Sequence, residues 1–293
     1  MNKLGSVKVG GTNPVRIMGI INTSPESFYK KSIKTKKNEI ADAIRKMDQD
    51  GADFVDIGGM STAPYLSTLV SEKIEKKRII EAIKIIQKVS NLPISVDTCR
   101  ASVAKQTLEY GVEIINDISG LKYDKNMLKV IKEFQPSLIL SAFSNKTVSG
   151  NLLRETKELL KHSLQLAKSA GVPTKKIVLD PAIGFFRKSG KGQFFTKINS
   201  DWVKRDLLIL QNLKSIKLGL PIMVSVSNKS FIGKLLKKKN PSERIYGSLA
   251  AEIFSVINGA DVIRTHNVGQ IKNALVIAER LAQKKTGKAY NTS

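Results

Sequence analysis

Short apolar runs that end in polar residues alternate along this chain with longer segments of helical spacing. Pro93 to Gly120 shows the unit. Pro93-Ile94-Ser95-Val96-Asp97-Thr98 is a run of β-formers that closes on a carboxylate. Ala101 to Tyr110 reads as a helix stopped by Gly111. Glu113 to Gly120 is a second strand, apolar in its body and ending in Asn116, Asp117 and Ser119.

The unit recurs. Strands are expected over Val15–Ile21, Phe54–Ile57, Ser137–Ala142, Lys176–Leu179, Ile222–Val226 and from Val262 to Arg264. Apolar residues at helical spacing predict helices over Lys36–Asp50, Glu72–Val89, Lys125–Phe134, Leu152–Ala170, Trp202–Lys217, Pro241–Asn258 and Gln270–Ala282. A long loop is expected between Asp180-Pro181 and Trp202. Eight strands, each followed by a helix, predict an α/β fold: a (β/α)8 TIM barrel as a single domain over residues 1–283, with a polar tail over 284–293. A doubly wound sheet has the same local pattern. The count of eight favours the barrel, and so does the lack of a Gly-x-Gly-x-x-Gly turn after the first strand.

Composition narrows the class. An apolar content of 41% over 293 residues supports a core. The lone cysteine, Cys99, allows no internal disulfide and points to a reducing, cytoplasmic setting. No apolar run reaches membrane-spanning length, so no membrane partner is expected. Lys and Arg number 49 against 25 Asp and Glu, a net charge of +24. The lysines are scattered and form no basic helix suited to reading bases, so no specific nucleic-acid partner is expected. A positive field does suit a phosphate-bearing substrate.

In a βα-repeat barrel the active site lies at the C-terminal ends of the strands. Those ends carry Asn22; Asp56 leading to Ser61 and Thr62; Asp97; Asn116 and Asp117; Asp180; Ser227 and Lys229; and Arg264 and His266. Only the fifth strand, closing on Ser141-Ala142-Phe143, offers little chemistry. Any one Asp or Asn here could be a turn-former. Together they would face one cavity. Asp97, Asn116 and Asp180 suit a flat heterocycle rich in N–H donors, such as an aminopyrimidinone. Lys229, Arg264 and His266 offer cationic donors for a ring carbonyl or a phosphate. Asn22 could take a hydrogen bond or ligate a hard cation through oxygen. No Cys/His set has zinc spacing and no nucleophile–base arrangement is evident, so the cavity reads as one that holds and polarises a substrate.

Ordered segments carry a resemblance. They are Met18-Gly19-Ile20-Ile21-Asn22-Thr23-Ser24-Pro25-Glu26-Ser27-Phe28, Asp56 to Pro64, Ser95-Val96-Asp97-Thr98, Ile115-Asn116-Asp117-Ile118-Ser119-Gly120, Leu179 to Phe185, Ser227 to Gly233, and Arg264-Thr265-His266-Asn267-Val268. In order, they resemble the signatures of the dihydropteroate synthase family across nearly the whole chain. The resemblance implies a barrel enzyme that joins a dihydropterin diphosphate to an arylamine and releases pyrophosphate, with Mg2+ as cofactor and a homodimer as its assembly. It implies that Asp97, Asn116, Asp180, Phe185 and Lys229 hold the pterin, with Arg264 stacked on it. It places Asn22, Thr62, Arg264 and His266 at the diphosphate, Asn22 at the metal, and Phe28, Pro64, Phe185 and Ser230 on the arylamine side. Asp97, Lys229, Arg264 and His266 are the implied catalytic set. A pterin-binding methyltransferase module and a non-catalytic pterin-binding protein remain as alternatives.

The departures gather away from the pterin positions. Ala63 stands where the family's second signature has arginine, and Tyr29-Lys30-Lys31-Ser32 replaces Ser-Asp-Gly-Gly. Asn228 stands where arginine is common. After Phe185 the family's Gly-Lys-Thr gives way to a longer basic and aromatic stretch, Phe186 to Phe195. One expectation is a second substrate larger than p-aminobenzoate that carries its own phosphate, such as a ribosylated aminobenzene phosphate. The other is that Lys30, Lys31, Arg187 or Lys188 replaces the missing arginine for ordinary chemistry.

Overall fold

The computed structural model describes residues 1–25, 33–34, 36–65 and 69–283. Phe28, the segment Tyr29 to Ser32 and the expected tail over 284–293 lie outside the described residues. A hairpin opens the chain: β1 (Asn2–Leu4) pairs antiparallel with β2 (Val7–Val9). Then come β3 (Arg16–Asn22), α1 (Lys37–Gln49), β4 (Phe54–Gly58), α2 (Glu72–Val89), β5 (Ile94–Asp97), α3 (Ala101–Glu109), β6 (Ile114–Asp117), α4 (Met127–Phe134), β7 (Ser137–Ser141), α5 (Leu152–Ser169) and β8 (Ile177–Asp180). A small parallel pair follows, β9 (Phe186–Arg187) with β10 (Thr196–Lys197). The remainder is α6 (Trp202–Gln211), α7 (Leu213–Ile216), β11 (Met223–Val224), α8 (Ser230–Leu235), α9 (Ile245–Ile257), β12 (Val262–Thr265) and α10 (Val268–Gln283).

Eight parallel strands form one sheet in the order β11-β12-β3-β4-β5-β6-β7-β8. The remaining seam is closed by a parallel bridge between Leu179 and Ile222, with Leu179 N–H donating to Pro221 O at 2.9 Å. The sheet is therefore the expected TIM barrel. Its strands are buried on both faces, which is why β4 and β7 are buried along their whole length. The helices take their ends from local chemistry. Ser71 accepts from Ile74 N–H at the start of α2, Asn151 from Arg154 N–H at α5, and Asp201 from Val203 and Lys204 N–H at α6.

Strand periodicity explains where the site falls. Met18, Phe54, Ile114, Ile139, Val178, Met223 and Val262 pack together inside the barrel. Leu4 and Val9 of the hairpin join that cluster, so β1 and β2 plug its N-terminal end. Two residues on, the same inward face carries Ile20, Asp56, Asn116, Ser141, Asp180, Ser225 and Arg264. The barrel is thus apolar at its floor and polar at its C-terminal mouth.

Several elements differ from the sequence expectation. The hairpin was not anticipated. The helix expected over Trp202–Lys217 is interrupted at Asn212, whose side chain donates to Leu208 O at 2.8 Å and competes with the helical bonds. The loop after Asp180 contains β9 and β10. A separate helix, α8, follows β11, and the helix expected from Pro241 begins with a turn of 3-10 helix, Pro241–Arg244. Among the described residues no helix is long and apolar enough to cross a membrane.

Candidate active site

A cavity open to solvent occupies the C-terminal mouth. Asn22, Thr62, Pro64, Asp97, Asn116, Asp180, Phe185, Lys229, Ser230, Arg264 and His266 all line it. The site residues expected from the sequence are brought there except Phe28, which lies outside the described residues; among the polar strand ends, Asp117 does not face the cavity but fixes its own turn, accepting from Ser119 N–H at 2.7 Å and Leu121 N–H at 3.0 Å. As anticipated, the end of β7 contributes no lining side chain.

Its floor is an ion-paired array. Arg264 Nε donates to Asp56 Oδ2 at 2.7 Å, and Nη2 reaches the same oxygen at 2.5 Å and Asp97 Oδ2 at 3.0 Å. Ser95 Oγ donates to Asp56 Oδ1 at 2.5 Å, and Asn116 Nδ2 to Asp56 Oδ2 at 3.3 Å. Burial costs the Arg264 charge, but the carboxylates of Asp56 and Asp97 more than offset this and hold the guanidinium above its ordinary pKa. Asp97 goes the other way. Burial, reinforced by Asp56 and Glu75 and opposed by Arg264, pushes its carboxyl up to about 7. Its Oδ1 is buried and has no hydrogen-bond partner among the described residues. The turn after Asp97 is fixed from behind, because the buried Glu75 accepts from Thr98 Oγ1 and Arg100 Nη1, each at 2.7 Å.

Across the seam, Lys229 Nζ lies 4.1 Å from the centroid of the Phe185 ring. Gly184, at φ +83°, makes room for it: a Cβ there would stand 2.9 Å from Lys229 Cδ. Burial lowers the Lys229 pKa to about 8, against the pull of Asp180. Burial raises that of Asp180, whose Oδ1 accepts from Ala182 N–H at 2.7 Å. His266 Nδ1 lies 3.1 Å from Ser227 Oγ. Burial, with the Arg264 and Lys229 charges beside it, lowers the imidazole to about 3. That shift favours a neutral imidazole over the cationic donor expected from the sequence.

Sequence reasoning missed part of the site. Asp56 is one polar strand end among several in the sequence, yet in the structure it is the hub of the floor. Ser225 and Tyr65 also line the cavity. The signal for Asp56 and Ser225 was the period of two from inward Phe54 and Met223. Tyr65 had no such signal.

A protein-family model described as pterin binding enzyme matches residues 18–266. The dihydropteroate synthase of Synechocystis is 35% identical over 90% of this chain and 89% of its own length. The chain belongs to the dihydropteroate synthase family. Among solved structures, a dihydropteroate synthase from Clostridium difficile, in the presence of pteroic acid, superposes with a TM-score of 0.80 at 32% identity, covering 96% of this chain and 99% of that one. The enzyme from Xanthomonas albilineans with 4-aminobenzoic acid gives 0.80 at 26% identity over 92% and 94%.

Within this dihydropteroate synthase fold the departures separate. Asn228 does not line the cavity. It is buried at φ +57°, a left-handed position that Asn tolerates, and is held by Ser248 Oγ to its N–H and Arg244 Nη1 to its carbonyl. Ala63 does line the cavity, and so does Arg187 of the longer stretch.

Proposed function

We propose that this chain catalyses the dihydropteroate synthase reaction, joining 6-hydroxymethyl-7,8-dihydropterin diphosphate to an arylamine and releasing pyrophosphate. The observation that carries this is Asp97 Oδ1, a buried acceptor without a partner among the described residues, beside Asn116, Asp180 and Lys229. A buried unpaired carboxylate oxygen is costly unless a ligand donates to it. The edge of a pterin ring supplies such N–H donors. In this reading Asn116 and Asp180 complete the edge contacts, Lys229 meets the ring carbonyl, and Arg264 and Phe185 flank the ring.

The methylene carbon loses its oxygen bond, the electron pair leaves with pyrophosphate, and the amine nitrogen forms the new bond and sheds a proton. Asp97 and Asp56 stabilise positive charge developing on the pterin side. Lys229 and Arg264 supply positive field toward the leaving group, with His266 and Thr62 as neutral hydrogen-bonding groups. The amine needs position more than a strong base, and Pro64, Phe185 and Ser230 form its side of the cavity.

Mg2+ would bind at the diphosphate end, where Asn22 is the residue that would hold it. Asn22 closes β3 at the cavity and presents a side-chain oxygen suited to a hard cation. Mg2+ is commonly held by one or two protein oxygens, with phosphate and water completing its shell. When bound, the ion neutralises charge on the diphosphate.

A second copy of the chain is the partner we propose for α9 and α10, which pack together and leave Tyr246, Phe254, Ile257, Val276, Ile277 and Leu281 exposed. The free, buried thiol of Cys99 supports a cytoplasmic setting.

The test is direct. Purified protein given the pterin diphosphate, Mg2+ and p-aminobenzoate should release pyrophosphate and yield dihydropteroate by mass spectrometry. Binding of the pterin diphosphate with no product from any arylamine would contradict the proposal.

A further inference from the structure

The stretch after Phe185 is an ordered frame. β9 and β10 pin its two ends. Its tip is tied to the second signature, where Pro64 O accepts from Lys191 N–H at 2.8 Å and Gly192 N–H at 3.1 Å. Phe194 is buried against Met60, Cys99 and Ile118. The frame presents Arg187. Its guanidinium stacks on Trp202, 3.6 Å from the ring centroid, and Nη2 donates to Ser230 Oγ at 2.5 Å.

Arg187 is only 7% exposed, and its Nη1 is buried with no hydrogen-bond partner among the described residues. It has no ion-pair partner among the described residues. Asp206, the acid whose field reaches it, pairs instead with Arg205 at 3.1 Å. Arg264, by contrast, has two carboxylates. A buried charge without a counter-ion is expensive, and a guanidinium offers a fork that matches carboxylate or phosphate.

We propose that Arg187 determines the second substrate by binding an anionic group on the arylamine, at the end remote from the attacking nitrogen. This inference rests on the reading under Proposed function. Ser230 is the link: Arg187 stands at the β8–β11 seam with Ser230, whereas Asn22 rises from β3 on the far side of β12.

The test uses calorimetric binding of pteroate, of its uncharged carboxamide and of its phosphonate analogue to wild type, Arg187→Gln and Arg187→Lys. Arg187→Gln should weaken pteroate by ~10-fold or more while leaving the carboxamide within about threefold, with Arg187→Lys between. A phosphonate bound more tightly than pteroate, with that gain lost in Arg187→Gln, assigns the site to a phosphate-bearing amine. The reverse order assigns it to a carboxylate. Equal weakening of charged and uncharged ligands, or none, would overturn the inference and leave the synthase reading intact. Wild type that binds no pteroate and forms no product would overturn the synthase reading itself. Melting of each variant separates lost folding from lost binding.

Discussion

Arg264 and Asp56 are 208 positions apart in the chain and 2.5 Å apart in the barrel. The pair spans β3 from the last barrel strand to the second and forms the floor on which the cavity rests. Because Asp56 is fully buried and also takes bonds from Ser95 and Asn116, removing its charge leaves Arg264 under-compensated. Asp56→Asn should cost ~3 kcal/mol or more of stability. The double variant Asp56→Leu/Arg264→Met should lose less than the sum of the two single changes. Urea unfolding decides it, and additive losses would show that the pair does not act as a unit.

The inserted frame makes a second prediction. Gly190 packs so closely that a Cβ would meet Pro64 O at 2.6 Å and the Phe195 ring at 2.7 Å. Gly190→Ala should push the tip off the second signature and raise KM for the arylamine severalfold, with affinity for the pterin diphosphate little changed. Parallel changes in both would argue against a dedicated amine-side frame.

Most of the fold was legible because each barrel strand is a buried apolar run and each helix has its own period and stop. Leu152, Glu72 and Val89 bound their helices where the sequence put them. The hairpin at Asn2–Val9 was not legible, since two strands of three residues carry too little pattern. At the site, polar strand ends announced Asp97, Asn116 and Asp180. The hub role of Asp56 was hidden because it depends on which acid lies beneath Arg264, a register fact. The lowered pKa of His266 was hidden for the same reason, because it follows from burial first and then from the charges that the fold places beside it.

Glu252 on α9 makes a prediction outside the cavity. It is buried, neither carboxylate oxygen has a partner at good geometry among the described residues, and burial pushes its pKa up to about 8, opposed by the Thr265 hydroxyl. The folded pKa lies above the ordinary value of 4.5, so the folded protein holds the extra proton. Stability from this group is complete below that ordinary value and is lost as pH rises toward and through about 8, at up to ~1.4 kcal/mol per pH unit. Glu252→Gln should therefore melt higher than wild type at pH 9 and lose that advantage near pH 4.5. An advantage that does not change with pH would show that the carboxyl does not titrate as described.

The most direct test of the account is the pH profile of kcat/KM for the pterin diphosphate, in wild type and in Asp97→Asn. The pterin contact needs an ionised Asp97, and its carboxyl stands at about 7 in the free protein. Wild-type kcat/KM should fall as pH drops through about 7. Asp97→Asn should be folded, slower by ~10²-fold or more, and without that acid limb. An Asp97→Asn enzyme within a few-fold of wild type, or one that keeps the same acid limb, would contradict the central role given to this carboxylate.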